Sequence, residues 1–373
     1  MMTILAFLLA ILILVGFHEF GHYITAKFCG IVVERFSIGF GPVLWKKTPK
    51  NSSDTEFVLS AIPLGGYVKL LDSKERSDLT TEQVGKAFDQ QVLWKRSLVV
   101  AAGPFANFLL AWVLLSALFL SNPMQVKPIL DEPNANTIAA MEGVEAGDEV
   151  RGFALLDANV EEQAVNFEDI PSWNRLRWKL LRAIFSGEGF ALEVDHESKG
   201  VYRIDFPKEK IQSLNMEQDL FEQLGLKMRR STPMATFRLE TSFFQALTLA
   251  SDRVYDITVV SIMSIRALVL GEVSFSQISG PIGIANMAGQ SAQSGLIPYL
   301  GFLALISISL GLMNLLPLPM LDGGQLVFDF WEFIYGKGVS ADFKAIAVKL
   351  GLGGILILTG IAVFNDISRL FHG

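Results

Sequence analysis

His18-Glu19-Phe20-Gly21-His22 lies near the end of an apolar run that opens at Thr3. A bilayer core is about 30 Å thick and needs ~20 helical residues to cross it. Residues 3–23 supply that length. An N-terminal apolar run is also what a secretory signal peptide looks like. Here no basic stretch precedes the run, no small-residue cleavage site follows it, and it holds two histidines and a glutamate. The run therefore predicts a first transmembrane helix over residues 1–26 that stays in the protein.

On a helix, residues i and i+4 differ by about 40° around the axis and ~6 Å along it. His18 and His22 therefore face one point and can hold one zinc ion. Glu19 projects beside them, where a carboxylate can take a proton from metal-bound water. Ionisable groups in an apolar span are expensive unless they perform a function. A catalytic zinc usually has three protein ligands. His196, in a polar stretch, and His372, at the terminus, are poor third ligands. Asp322 is the better candidate, in Asn314-Leu315-Leu316-Pro317-Leu318-Pro319-Met320-Leu321-Asp322-Gly323-Gly324. The two prolines break a helix there, and the two glycines let backbones approach. On spacing alone, a lone Asp at a helix break is more often a cap.

Further apolar runs place a second span at residues 97–121, interrupted by Gly103-Pro104, a third at 296–322 and a fourth at 346–365. Segment 231–295 is apolar but carries Asp252, Arg253, Asp256 and Arg266. Charges at mid-bilayer are costly, so its apolar stretch 243–270 reads as an amphipathic helix, or a pair of them, lying on the membrane or on the protease core rather than as a fifth span. Lys27, Arg35, Lys46, Lys47, Lys50, Lys69, Lys95 and Arg96 lie between the first two spans. Lys337 and Lys344 lie in the link at 323–345, and Lys349 lies just beyond it. The positive-inside rule then predicts both termini outside and two cytoplasmic segments, 27–96 and 323–345. In 27–96, residues 34–45 and 56–70 alternate enough to form strands. Gly39 and Gly41 would leave a strand edge on which an extended substrate could pair.

These motifs resemble a known family. The pair HEFGH and NLLPLPMLDGG looks like the two signatures of the site-2 protease family of intramembrane zinc metalloproteases. Phe36-Ser37-Ile38-Gly39-Phe40-Gly41-Pro42 is similar to that family's membrane-reentrant loop. Stretches 63–69, Gly103-Pro104-Phe105-Ala106-Asn107, 279–283 and 364–368 resemble its bacterial regulator of sigma-E type. The likeness runs from the first span to the last. It implies that His18, His22 and Asp322 are the zinc ligands, Glu19 the general base, and Asn314 a residue that holds the substrate backbone. It also implies residence in the bacterial inner membrane and single-span membrane proteins as substrates. These would be anti-sigma factor-like proteins or signal peptide remnants, trimmed first by an upstream protease acting on the same substrate.

Residues 122–230 read as one outer module. Residues 136–150 read as a strand, short helix and turn and resemble the A-x-x-x-G-x-x-x-G-D-x-I stretch of PDZ domains, a helix is expected near 172–184, and a hairpin should turn around Ser198-Lys199-Gly200. The regulator type usually carries two such domains in tandem. The roughly 115 residues available here suffice for one. It could bind C-termini or act as a size filter.

The fold class expected is thus a polytopic α-helical membrane protein of about four transmembrane helices. It would carry a membrane-reentrant β-hairpin and an inserted PDZ-like α+β domain. Of the 373 residues, 51% are hydrophobic, and the net charge is −7. With no basic patch interleaved with aromatics, the composition points away from nucleic acid. The single cysteine, Cys29, allows no internal disulfide. A metal transporter would also place His, Glu and Asp in the membrane, but the two motifs together argue against it. An inactive scaffold would have no need of Glu19 beside a complete ligand set.

Overall fold

The computed structural model describes residues 2–47, 55–76, 78–156, 166–230 and 234–372. The chain forms two compact units, one of Met1–Leu115 with Ile278–Gly373 and one of Ser116–Gln277. In chain order, helix α1 (Met2–Phe28) is followed by strands β1 (Val33–Lys47) and β2 (Glu56–Leu70), a short α2 (Thr81–Val84), and α3 (Leu93–Leu120). The second unit adds β3 (Met124–Val126), α4 (Ile138–Met141), β4 (Glu149–Leu155) and β5 (Glu168–Asp169). It continues with α5 (Trp173–Ser186), β6 (Phe190–His196), β7 (Gly200–Phe206), α6 (Lys208–Gln212), α7 (Leu220–Leu224), β8 (Thr236–Arg238) and α8 (Phe243–Leu270). The chain then returns to the first unit through α9 (Pro281–Gln293), α10 (Leu296–Leu315), α11 (Asp322–Tyr335) and α12 (Ala341–His372).

Among the described residues four helices, α1, α3, α10 and α12, are long and apolar enough to cross a membrane. The chain is a multi-pass membrane protein. In the first unit α1, α3, α9 and α10 share a core of Ala6, Ala10, Leu14, Leu110, Ala288, Tyr299, Phe302 and Leu303. Small residues set the approach distance. A Cβ on Gly21 would fall 2.7 Å from Ala106 Cβ of α3. Two polar side chains inside this layer are bonded to backbone: Tyr299 donates to the Ala6 carbonyl at 2.7 Å, and Ser307 to that of Asn107 at 2.7 Å.

The helices differ from the sequence expectation at three places. Gly103-Pro104 does not interrupt α3, which runs through it, since neighbouring helices let membrane spans tolerate proline. The third span ends at Leu315 rather than 322. Leu316, restricted by the following proline, is extended with ψ 145°, so Asp322 opens α11 instead of closing α10. The expected link at 323–345 holds most of that helix. Polar Asp329 is buried, while Phe330, Trp331, Phe333 and Tyr335 are exposed.

β1 and β2 pair antiparallel, and both are long and bent. Arg35–Ile38 is flanked on one side by Gly66–Lys69 and on the other by Glu56–Leu59, while Val43–Lys47 folds back along residues 57–60. Gly39 and Gly41 make the bend possible, with φ +87° and +82°, values that favour glycine.

The second unit holds a four-stranded antiparallel sheet in the order β5-β4-β6-β7. Its core contains Phe153, Leu176, Leu180, Phe190, Leu192, Ile204 and Phe206. The hairpin β6–β7 turns at Gly200, φ +73°, and α5 is capped by Ser172 at its start and Gly187 at its end. No strand occupies residues 136–148. Thr137 instead caps α4, and β4 begins at Glu149. Segment 231–295 splits: α8 belongs to the second unit and α9 to the first. The α8 charges meet α5. Asp256, buried, lies 3.4 Å from Lys179 Nζ and 3.4 Å from Arg182, and Arg253 donates to Asn174 at 2.8 Å. These pairs explain charges that read from sequence as the polar face of a membrane-lying helix.

Candidate metal centre

Helix α1 carries His18, Glu19 and His22. The α10–α11 turn delivers Asp322. A Cβ on Gly324 would fall 2.6 Å from Pro319 Cα, so glycine lets the turn close and brings the carboxylate to the imidazoles. His18 Nε2 lies 3.2 Å from His22 Nε2 and 3.2 Å from Asp322 Oδ2. His22 Nε2 lies 3.5 Å from that oxygen. Two Zn–ligand bonds of about 2.0–2.2 Å at the tetrahedral angle place their ends ~3.3–3.5 Å apart. The three separations match the edges of one zinc tetrahedron.

The protonation pattern leads to the same chemistry. His22 Nδ1 lies 2.8 Å from the Val99 carbonyl oxygen, an acceptor only, so the proton of the neutral ring sits on Nδ1. Its Nε2 then presents a lone pair to the other two groups. Asp322 Oδ2 is buried and makes no hydrogen bond. A buried, unbonded carboxylate oxygen beside an imidazole lone pair is costly. A cation at their common focus removes that cost. These three residues are the one group of His, Cys, Asp and Glu among the described residues with ligand atoms mutually within 4.8 Å.

Glu19 is half-buried. Its Cγ would lie 2.9 Å from a Cβ at Gly66, so β2 passes directly against the carboxylate-bearing side chain. Asn314 sits in the last turn of α10, half-buried. Gly39 and Gly41 pack on β2: a Cβ on Gly39 would meet the Ile62 and Ser60 carbonyls at 2.9 and 3.0 Å, and one on Gly41 the Ile62 side chain at 3.2 Å. The structure thus brings His18, His22 and Asp322 together with Glu19 adjacent, and places the two glycines in the bend of the sheet. It also adds residues whose roles the sequence does not reveal. Gly103 lies so close that a Cβ there would fall 2.8 Å from His18 Cε1. The Val99 carbonyl holds His22, and Asn107 ends 3.3 Å from His18 Nδ1. Gly103 and Asn107 both lie in the Gly103-Pro104-Phe105-Ala106-Asn107 motif, which is the signal that could have found them.

A His–His–Asp triad that could hold a metal ion, beside membrane-length helices, points to a multi-pass membrane metalloenzyme. The chain belongs to peptidase family M50, whose profile matches residues 6–358. It is 30% identical to the regulator of sigma E protease of Haemophilus influenzae over 445 residues, covering 98% of both chains. It is 30% identical to protease RseP of Yersinia pestis over 455 residues, covering 99% of this chain and 100% of that one. To a Ralstonia nicotianae protein named as a zinc metalloprotease it is 30% identical over 472 residues, covering all of both. That alignment exceeds the 373 residues of this chain, so the Ralstonia protein carries roughly 100 residues without a counterpart here, the size of a small domain. Family and relatives make this chain a zinc metallopeptidase.

Proposed function

We propose that the chain cuts single-span membrane proteins at membrane depth, after a first cut by another protease on the same substrate. The observation that carries this reading is the convergence of His18 Nε2, His22 Nε2 and the unbonded Asp322 Oδ2 at tetrahedral spacing between membrane-length helices. These three residues hold the zinc. When bound there, the ion supplies Lewis acidity to water and to the scissile carbonyl. Glu19 acts as general base: it accepts a proton from the attacking water and returns it to the leaving amine. Asn314 holds the substrate backbone by hydrogen bonding.

A substrate helix must open before it can be cut, and its freed backbone groups need partners where water is absent. The bent β1–β2 sheet, entering the membrane, offers them. Gly39 and Gly41 allow the bend that sets its edge, and the exposed Phe40, Val43, Leu44 and Trp45 suit contact with lipid. The second unit is a PDZ-like domain on the outer side that admits only shortened substrates. The protein sits in the bacterial inner membrane with both termini periplasmic. The name of the Haemophilus relative supports an anti-sigma factor-like substrate, and remnant signal peptides are a second class.

The test is expression of Glu19→Gln in cells, followed by identification of membrane proteins that accumulate with their span intact. Trimmed single-span proteins should accumulate. An unchanged membrane proteome would sink the reading.

A further inference from the structure

Asn107 is fully buried, and its side-chain amide ends 3.3 Å from His18 Nδ1. With the NH2 group facing the ring, Oδ1 has no hydrogen-bond partner. The two orientations of an amide fill the same space and differ only in the hydrogen bonds they make. A ring that gives Nε2 to a cation carries its proton on Nδ1, so an NH2 group facing that atom sets donor against donor. The reversed amide sets acceptor against donor. The outer end of the amide is unpartnered, so no bond is lost by the reversal.

We propose that Asn107 is a positioning residue for the metal centre: its Oδ1 accepts the Nδ1–H of His18 and fixes the tautomer and ring plane that present Nε2 to zinc. The inference rests on His18 being a zinc ligand. The Val99 carbonyl does the same for His22 at 2.8 Å, so both rings are held from α3. The backbone carbonyl of Asn107 also accepts the buried Ser307 hydroxyl of α10 at 2.7 Å, a helix-to-helix contact that does not involve the side-chain amide. One turn before it, Gly103 lets α3 come close enough for both contacts. This assigns a task to the Gly103-Pro104-Phe105-Ala106-Asn107 motif.

The test uses the zinc-loaded full-length protein in detergent and reads the rate of zinc release to a chelating dye. Asn107→Leu keeps the bulk and removes the acceptor. It should release zinc roughly 10–100-fold faster, the usual cost of losing a partner behind a ligand. Asn107→Ala, which adds no bulk, should behave alike. Asn107→Asp keeps an oxygen acceptor and should stay near the wild-type rate. Ser307→Ala, which loosens the same packing without touching the ring, should also stay near it. Wild-type release from Asn107→Leu and Asn107→Ala overturns the proposal. So does equal acceleration in Asn107→Asp and Ser307→Ala, which would mark a packing effect. A His18→Ala protein that retains zinc would instead overturn the ligand reading beneath it.

Discussion

His18 Nε2 and Asp322 Oδ2 lie 3.2 Å apart, one on the first membrane-length helix and the other on the first residue of α11, just beyond the third. No hydrogen bond joins them, and the carboxylate oxygen is buried. A buried carboxylate oxygen that makes no hydrogen bond and faces two imidazole nitrogens is set for a cation. Asp322→Ala should therefore lose the zinc that the wild type carries, while its helices stay folded. Metal analysis by mass spectrometry, beside circular dichroism, checks both. Unchanged zinc would remove Asp322 from the ligand set.

The pairing of α5 with α8 yields a stability prediction. Lys179 and Asp256 are both buried and 3.4 Å apart. Removing one partner of a buried pair costs about 3–5 kcal/mol. Lys179 keeps Glu168 at 3.1 Å, so Asp256→Ala should fall at the low end, about 3 kcal/mol. The double variant Lys179→Met with Asp256→Leu should recover most of the loss. Denaturation of the purified protein reads both. A loss under ~1 kcal/mol for Asp256→Ala would put the pair in the class of surface contacts.

The same network gives a pH dependence. Burial pushes the Glu168 carboxyl up, but hydrogen bonds from Arg175 and Lys179 outweigh it, and the group titrates below its ordinary value. Its stabilising contribution is then present above the unfolded value and lost as pH falls through the folded one. Glu168→Gln should flatten the acid limb of the second unit's stability curve below about pH 4.3. An unchanged acid limb would show that Glu168 does not contribute.

How much of the fold and site is legible in sequence follows from the range of the interactions. His18, Glu19 and His22 are one helical turn apart, so their shared focus can be read from the helix period alone. Asp322 needs the family likeness, because nothing local says that α10 ends at Leu315 or that a new helix begins at the Asp. The hairpin β6–β7 shows in its alternation and its turn residues. The β1–β2 register does not, because residues 35–38 have partners on both sides and alternation carries no trace of a bend. The α8 charges are visible as misfits in an apolar run. Their partners lie on α5, with Arg182 and Asp256 separated by 74 positions, so no local pattern could supply them.

The sheet-bearing part of the second unit can be removed at a defined place. Val126 and Thr236 are register partners in the β3–β8 pair, so deleting residues 127–235 leaves two ends that a short turn can join. Asp252, 3.7 Å from Arg175, and Asp256 would lose their partners on α5 and should be changed to Asn in the same protein. If the domain filters by size, the shortened enzyme should cut substrates that still carry bulky outer domains. Cleavage restricted to trimmed substrates, in a protein that still holds zinc, would rule the filter out.

Two glycines pack on different members of the site, Gly103 on the two imidazoles and Gly66 on Glu19. A Cβ on Gly103 would fall 2.5 Å from His22 Cε1 and 2.8 Å from His18 Cε1. His22 cannot swing aside, because Val99 holds its Nδ1 at 2.8 Å. Gly103→Ala should therefore distort the ligand set and release zinc. A Cβ on Gly66 would fall 2.9 Å from Glu19 Cγ and 2.8 Å from the Ser37 carbonyl oxygen. Neither atom belongs to a ligand. Gly66→Ala should keep zinc and displace the Glu19 carboxylate or the strand beside it. Misplacing a reacting group by about 1 Å can cost 10²-fold in rate, so cleavage of a single-span substrate should drop on that order. The paired measurement is zinc content and cleavage rate for each variant. Zinc loss in both would mean that the two glycines serve the fold alone. Full zinc in Gly103→Ala would contradict the packing of α3 on the imidazoles. Full cleavage in Gly66→Ala would show that Glu19 has room to keep its place, and the close approach of β2 would then have no part in the chemistry.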